Sequence, residues 1–266
     1  MNDAVAPLVL VAERGAVARV TLNRPHAGNA LALPLIEALT AAFAALAPRE
    51  EIRVIVVAGA GGRIFCAGHD LGELRAALDG EPPDAAYLAR DFAAITTLMQ
   101  AIMAQPQIVI AEIAGVATAA GCELASSCDL ALAASNARFA VPGVNIGFWC
   151  HTPQVQLIRA VGAKQAMMML ATGRLFPATH ALEIGLVNAL HPPEELADAV
   201  EALAAEIAAK PGSVLRQGKA SFNRIAGRGT AEAYAIAREA ALAHILHPDA
   251  KEGITAFTEK RDPRWS

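Results

Sequence analysis

The sequence predicts an α/β fold, strand-rich at the start and helical towards the end, on three observations. Ile52-Arg53-Val54-Ile55-Val56-Val57 is β-branched and nearly continuous, the pattern of a strand buried on both faces of a parallel sheet. Short strand-like runs alternate with helix-like ones through the first third of the chain. Beyond Thr152 almost every stretch reads as helix, punctuated by Pro192-Pro193 and Lys210-Pro211-Gly212.

In chain order, Ala16 to Leu22 reads as a strand ending at the turn signal Asn23-Arg24-Pro25. Pro34 suits a first helical turn and opens an amphipathic helix to about Ala47. The Ile52–Val57 strand ends at Gly59-Ala60-Gly61-Gly62, which lacks the spacing and the lysine of a nucleotide loop and is a turn. Tyr87 to Met103 is a long helix stopped before Pro106. Ile108 to Ile113 is a strand, Gly115 to Gly121 a loop of small residues, and Cys122 to Ser127 a short helix. Cys128 to Ala134 returns as a strand, followed by a loop from Phe139 to Gly147. No long linker, low-complexity tract or clear sequence repeat interrupts this order.

Composition narrows the function classes. The chain has 266 residues, 55% hydrophobic and 18% charged, which excludes a disordered protein and suffices for one large domain or a domain with an appendage. The 62 alanines supply much of the apolar fraction and little core volume. No stretch approaches the roughly 18 uninterrupted apolar residues of a membrane helix; the best candidate, Gln107 to Gly121, is broken by Glu112. A net charge of −4 argues against a nucleic-acid surface. The N-terminus reads as neither a signal nor a transit peptide. Cys66, Cys122, Cys128 and Cys150 have neither metal-site nor disulfide-scaffold spacing. A soluble, cytoplasmic protein is the expectation.

Two loops have chemical potential, because each follows a strand-like run and precedes a helix, where free backbone N–H groups collect. They are Phe65-Cys66-Ala67-Gly68-His69-Asp70-Leu71 and Ala117-Thr118-Ala119-Ala120-Gly121-Cys122-Glu123-Leu124. A helix N-terminus holds developing negative charge through those donors and its dipole. Together the loops suit one oxyanion; singly, tight strand-to-helix packing is the better explanation of each.

In this order the two loops resemble the enoyl-CoA hydratase/isomerase (crotonase) superfamily. The resemblance also takes in Leu22-Asn23-Arg24-Pro25 with Asn29-Ala30-Leu31, then Cys128-Asp129-Leu130, and closes with Glu252 to Arg261. It implies a spiral of ββα turns over residues 1–190 and a helical oligomerisation region over 191–266, giving a homotrimer or a hexamer of two trimers. It implies an acyl-CoA or enoyl-CoA substrate, with coenzyme A as part of that substrate, no separate cofactor and no metal. By motif position, the backbone N–H groups of His69 and Ala120 would hold the thioester oxygen as it gains enolate charge. Preorganised donors of this kind are worth about 10²–10³ in rate each. Ala27, Ala67, Asp70 and Leu71 fall at coenzyme A-binding positions. Phe257 and Lys260 match positions that reach coenzyme A, often across a subunit boundary.

The sequence also departs from that pattern. Hydratases of this family use two glutamates, and Glu123 takes the first position, but the second is Gly143. A helix-end carboxylate satisfying the dipole is the plain alternative for Glu123. Counting from Gly143, His151 falls where related dienoyl-CoA isomerases have a catalytic acid, making it a candidate group titrating near neutral pH; an ordinary surface histidine is the alternative. Ala119-Ala120 stands where many relatives have glycines, so an intact hole requires these alanines to stay at negative φ. The pattern resembles the mitochondrial enoyl-CoA hydratase domain-containing proteins and their bacterial relatives. Enoyl-CoA hydration leads, as part of fatty-acid or related acyl-CoA metabolism. An isomerase or other acyl-CoA lyase, or a thioester-binding protein with little turnover, remains open. Cys66 and Cys150 read as apolar fillers, Met167-Met168-Met169 as packing, and Asp129 as structural.

Overall fold

The computed structural model describes residues 6–265. Its frame is two sheets threaded alternately by the chain. Strands β1 (Val9–Arg14) and β2 (Val17–Leu22) form an antiparallel hairpin, followed by helix α1 (Leu33–Leu46) and strand β3 (Val54–Gly59). Next come β4 (Ile64–Cys66), α2 (Leu71–Leu78) and α3 (Ala85–Ala104). Then follow β5 (Ile108–Ile113), β6 (Val116–Thr118) and α4 (Ala120–Ser127). The third turn is β7 (Leu130–Ala134), β8 (Arg138–Ala140), α5 (Pro153–Val161) and α6 (Ala163–Thr172). Short elements β9 (Phe176–Pro177), α7 (Ala178–Glu183) and β10 (Ala189–His191) close the sheets. Helices α8 (Leu196–Ala208), α9 (Gly212–Ile225), α10 (Thr230–Ile245) and α11 (Pro248–Glu259) complete the chain.

Strands β3, β5 and β7 lie parallel in a six-stranded sheet ordered β1-β2-β3-β5-β7-β10. Their immediate successors β4, β6 and β8 lie parallel in a second sheet ordered β4-β6-β8-β9. Each turn therefore places one strand in each sheet before a helix, which is the ββα spiral and the expected α/β class. β3 is buried at five of six positions, as its β-branched run predicts. It begins at Val54 rather than Ile52, because the Ile52 N–H closes a turn on the Arg49 carbonyl. The loop expected over Gly115–Gly121 contains β6, and the one over Phe139–Gly147 begins inside β8, strands of three residues each and too short for a period-two pattern to register. α8, although beyond residue 190, packs on β2, β3, β5, β7 and β10 of the large sheet.

Two buried polar anchors fix this frame. Asn29, at φ +52 and fully buried, donates from Nδ2 to the Ala60 and Ile64 carbonyls (3.0 and 2.8 Å) and accepts from the Arg24 N–H (3.0 Å). It ties the turn after β2 to the β3–β4 connection. Lys219 of α9 reaches the core, where Nζ meets Asp129 Oδ2 at 2.6 Å and the Gln107 carbonyl at 2.9 Å. Asp129 Oδ2 also accepts the Val109 N–H at 2.7 Å, consistent with a structural role.

Breaking a buried pair from one side leaves an uncompensated charge, costing about 3–5 kcal/mol. Lys219→Met should therefore lower the denaturation midpoint sharply, and adding Asp129→Asn should recover most of the loss. An unchanged midpoint in the single variant would show that the pair anchors nothing.

Candidate active site

The spiral brings the two candidate loops side by side. Because β4 and β6 are paired neighbours, the turns leaving them emerge from one sheet edge. The Thr118 hydroxyl donates to the Ala67 carbonyl at 2.9 Å, joining the loops. Gly68, at φ +91, lies against the second loop so closely that a Cβ there would sit 2.8 Å from Ala119 Cβ and 3.1 Å from the Ala120 nitrogen. The first loop is steadied by Leu31, whose N–H donates to the Gly68 carbonyl (2.7 Å) and whose carbonyl accepts the Asp70 N–H (3.3 Å). Those bonds use the Gly68 carbonyl and the Asp70 N–H, and neither uses the His69 N–H. Ala120 opens α4, so its N–H is one of the helix's unpaired first donors. Both N–H groups belong to residues lining one cavity of about 460 Å³.

The requirement for negative φ is not met at Ala119, which takes φ +50 and ψ −122. Such strain costs about 1–3 kcal/mol and persists only where the surroundings over-determine it. Here they do: the Ala119 N–H donates to the Ala140 carbonyl (2.9 Å), and its own carbonyl accepts from Cys122 and Glu123 (3.0 and 3.1 Å). Ala120 itself keeps negative φ.

Glu123 is buried one turn into α4, behind the cavity wall rather than in it. Thr152 stands in that wall, and its hydroxyl donates to Glu123 Oε2 at 3.0 Å. Burial pushes the Glu123 carboxyl up to about 7, with the Thr152 hydrogen bond pulling the other way. At the missing carboxylate position, a Cβ on Gly143 would lie 2.2 Å from the Phe148 carbonyl oxygen and 2.9 Å from Cys150 Sγ. The Gly143 N–H donates to that sulfur at 3.3 Å, and the Phe148 N–H to the Gly143 carbonyl at 3.0 Å. The Phe148–Cys150 backbone thus occupies the space a second glutamate would need.

His151 is exposed at the cavity wall, edge-on to the Phe148 ring at 5.9 Å. Ala67 and Leu71 line the same cavity. Ala27 precedes Gly28, whose carbonyl accepts the Ala67 N–H at 3.0 Å. Asp70 caps α2 through the Gly72 and Glu73 N–H groups (2.8 and 3.3 Å) and pairs with Arg24 at 2.5 Å. Phe257 and Lys260 are not brought to the cavity within one chain; Phe257 is 84% exposed on α11, and Lys260 follows that helix. Cys66 is an inert filler, since burial pushes its thiol up to about 12.

Three residues escaped the sequence. Thr152 and Phe92 carry no signal until folding sets them beside Glu123 and His69. Asp91 had one, a charge on the otherwise apolar face of α3, where it is 2% exposed. Its Oδ2 lies 3.4 Å from His69 Nε2, and neither atom has a hydrogen-bond partner.

Residues 12–266 match the enoyl-CoA hydratase/isomerase family. The mitochondrial enoyl-CoA hydratase domain-containing protein 3 of Danio rerio is 40% identical over the whole chain and 90% of its own length. A Mycobacterium smegmatis enoyl-CoA hydratase structure is 45% identical with TM-score 0.93, covering 97% of this chain and 99% of that one. The human enoyl-CoA hydratase domain-containing protein 3 structure is 35% identical with TM-score 0.92, covering 97% and 100%. The expected cytoplasmic location is corrected by these likenesses, since the Danio rerio, Xenopus laevis and human relatives are all named mitochondrial. On the spiral, the paired loops and these matches, the chain belongs to the enoyl-CoA hydratase/isomerase, or crotonase, family.

Proposed function

We propose that the protein hydrates a 2-enoyl-CoA thioester. The reading rests on one observation: Glu123, a buried carboxyl that burial pushes up to about 7, stands on the helix that opens at Ala120, and Ala120 and His69 line one cavity. The two N–H groups hold the thioester oxygen while water adds to C3, and negative charge spreads onto that oxygen. Glu123, ionised, takes the water proton. Ala27, Ala67, Asp70 and Leu71 are the proposed coenzyme A contacts from one chain. Phe257 and Lys260 serve a neighbouring subunit, with coenzyme A arriving as part of the substrate. Exposure of Phe222, Leu242, Leu246 and Phe257 on α9–α11 supports residues 191–266 as the assembly surface of a trimer or hexamer. Fatty-acid or related acyl-CoA metabolism is the proposed setting. The obstruction at Gly143 favours one second reading, a double-bond isomerase, for which a single carboxylate suffices.

Crotonyl-CoA hydration, followed as loss of the enoyl-thioester absorbance, should fall about 10²–10⁴-fold in Glu123→Gln; equal rates would remove Glu123 from the chemistry. Because the base must be ionised, the acid limb of kcat/KM should follow the Glu123 carboxyl, raised to about 7. Thr152→Val removes a bond favouring the carboxylate, so that limb should move to higher pH; an unmoved limb would assign it to another group. Gly143→Glu should destabilise the protein without raising hydration, because its Cβ meets the Phe148 carbonyl. A more active Gly143→Glu variant would contradict the remodelled loop.

A further inference from the structure

The side chain of His69 is unused by the hole, which needs only its N–H, yet it is placed like a reacting group. It lies 12% exposed against the 3% exposed Asp91 carboxylate, with its Nε2 3.4 Å from Oδ2. Among the described residues both atoms lack a hydrogen-bond partner, although buried polar atoms are rarely left so. With Nε2 turned to Asp91, Nδ1 is the nitrogen left for the cavity that His69 lines. The ring packs on Phe92 at 5.4 Å, and Phe92 on Phe148 at 6.0 Å. His69 therefore sits across an aromatic wall from the loop that displaced the second carboxylate. Connectivity sets its reach: the imidazole hangs from the residue whose N–H would hold the thioester oxygen, and C2 is two bonds from that oxygen.

The geometry points to His69 as the residue that carries the C2 proton, with Asp91 as its positioning partner. The assignment rests on the thioester reading above and supplies the proton transfer that Gly143 cannot. In the dehydration direction, Nδ1 takes the proton from C2 and the C–H pair becomes the enolate held by the two N–H groups. The enolate then reforms as the C2=C3 bond while the C3 hydroxyl leaves as water with a proton from Glu123. Hydration runs the same steps backwards: Glu123 takes the water proton, and the His69 imidazolium protonates C2. Asp91, 3.4 Å from Nε2, would close onto Nε2–H and balance the imidazolium charge as it forms, the division of labour of an aspartate–histidine pair in hydrolases. Burial lowers the His69 pKa and raises that of Asp91 to about 6, so the neutral imidazole suits the dehydration direction, and the imidazolium that hydration needs forms as the pH falls. Glu73, bound to the Tyr87 hydroxyl at 2.7 Å, is the other charge acting on Asp91. Glu123, Cys150 and His151 are further titratable groups about the cavity.

The test is exchange of the C2 hydrogens of butyryl-CoA with D2O, read by NMR, because it reports C2 deprotonation whether or not water adds to C3. His69→Ala keeps the backbone N–H and the Cβ, and should slow exchange about 10²–10⁴-fold while butyryl-CoA still binds. Added imidazole should restore part of the rate, which a packing defect would not allow. Asp91→Asn should slow exchange as well and shift its pH profile. Exchange at the wild-type rate in His69→Ala, or no exchange in the wild type, would overturn the assignment. Wild-type protein that exchanges but does not hydrate crotonyl-CoA would instead remove the hydratase reading and leave His69 in place.

Discussion

Two strand-to-helix turns pressed together at Gly68 and Ala119 set the rest of the site. A peptide N–H is a weak anion ligand in water, but two aimed at one point in a cavity closed by protein are a strong one. Topology brings both residues to one cavity, since β4 and β6 are neighbours in the small sheet and each releases its chain at the same edge. Approach this close leaves no room for a side chain at position 68, and Ala119 opposite it takes positive φ. The protein holds a strained alanine there through hydrogen bonds on both faces of that residue, and the helix beginning at Ala120 keeps its first donor free.

The cavity beyond is mostly apolar, so each polar group in or beside it is exposed to little screening. That is why the Glu123 carboxyl rises to about 7 when its one neutral partner is the Thr152 hydroxyl. The His69–Asp91 pair lies on the other wall, where one acid and one base can share their protons and burial favours the neutral form of each.

Much of the fold was legible because its principal strands and helices are long and patterned. Ile108–Ile113 is a strand at those bounds, and Pro34 sits in the first turn of α1. Strands β4, β6 and β8 were not legible, because three residues cannot display an alternation, and the spiral depends on them. The loop motifs gave the hole's position, while the φ of Ala119 could not be foreseen without the Ala140 carbonyl that holds it. Gly143 announced a missing carboxylate, but only the Phe148 carbonyl shows that its space is filled. Thr152, Phe92 and Asp91 lie far along the chain from the residues they touch, so no spacing in the sequence connects them.

The central claim is that the His69 and Ala120 N–H groups polarise a bound thioester carbonyl. The most direct measurement is the absorbance spectrum of a 2,4-dienoyl-CoA on binding, since pulling electron density towards the carbonyl oxygen lowers the transition energy of the conjugated chain. The account predicts a clear shift to longer wavelength at saturation. Tight binding with an unshifted band would place the carbonyl away from both N–H groups and contradict it.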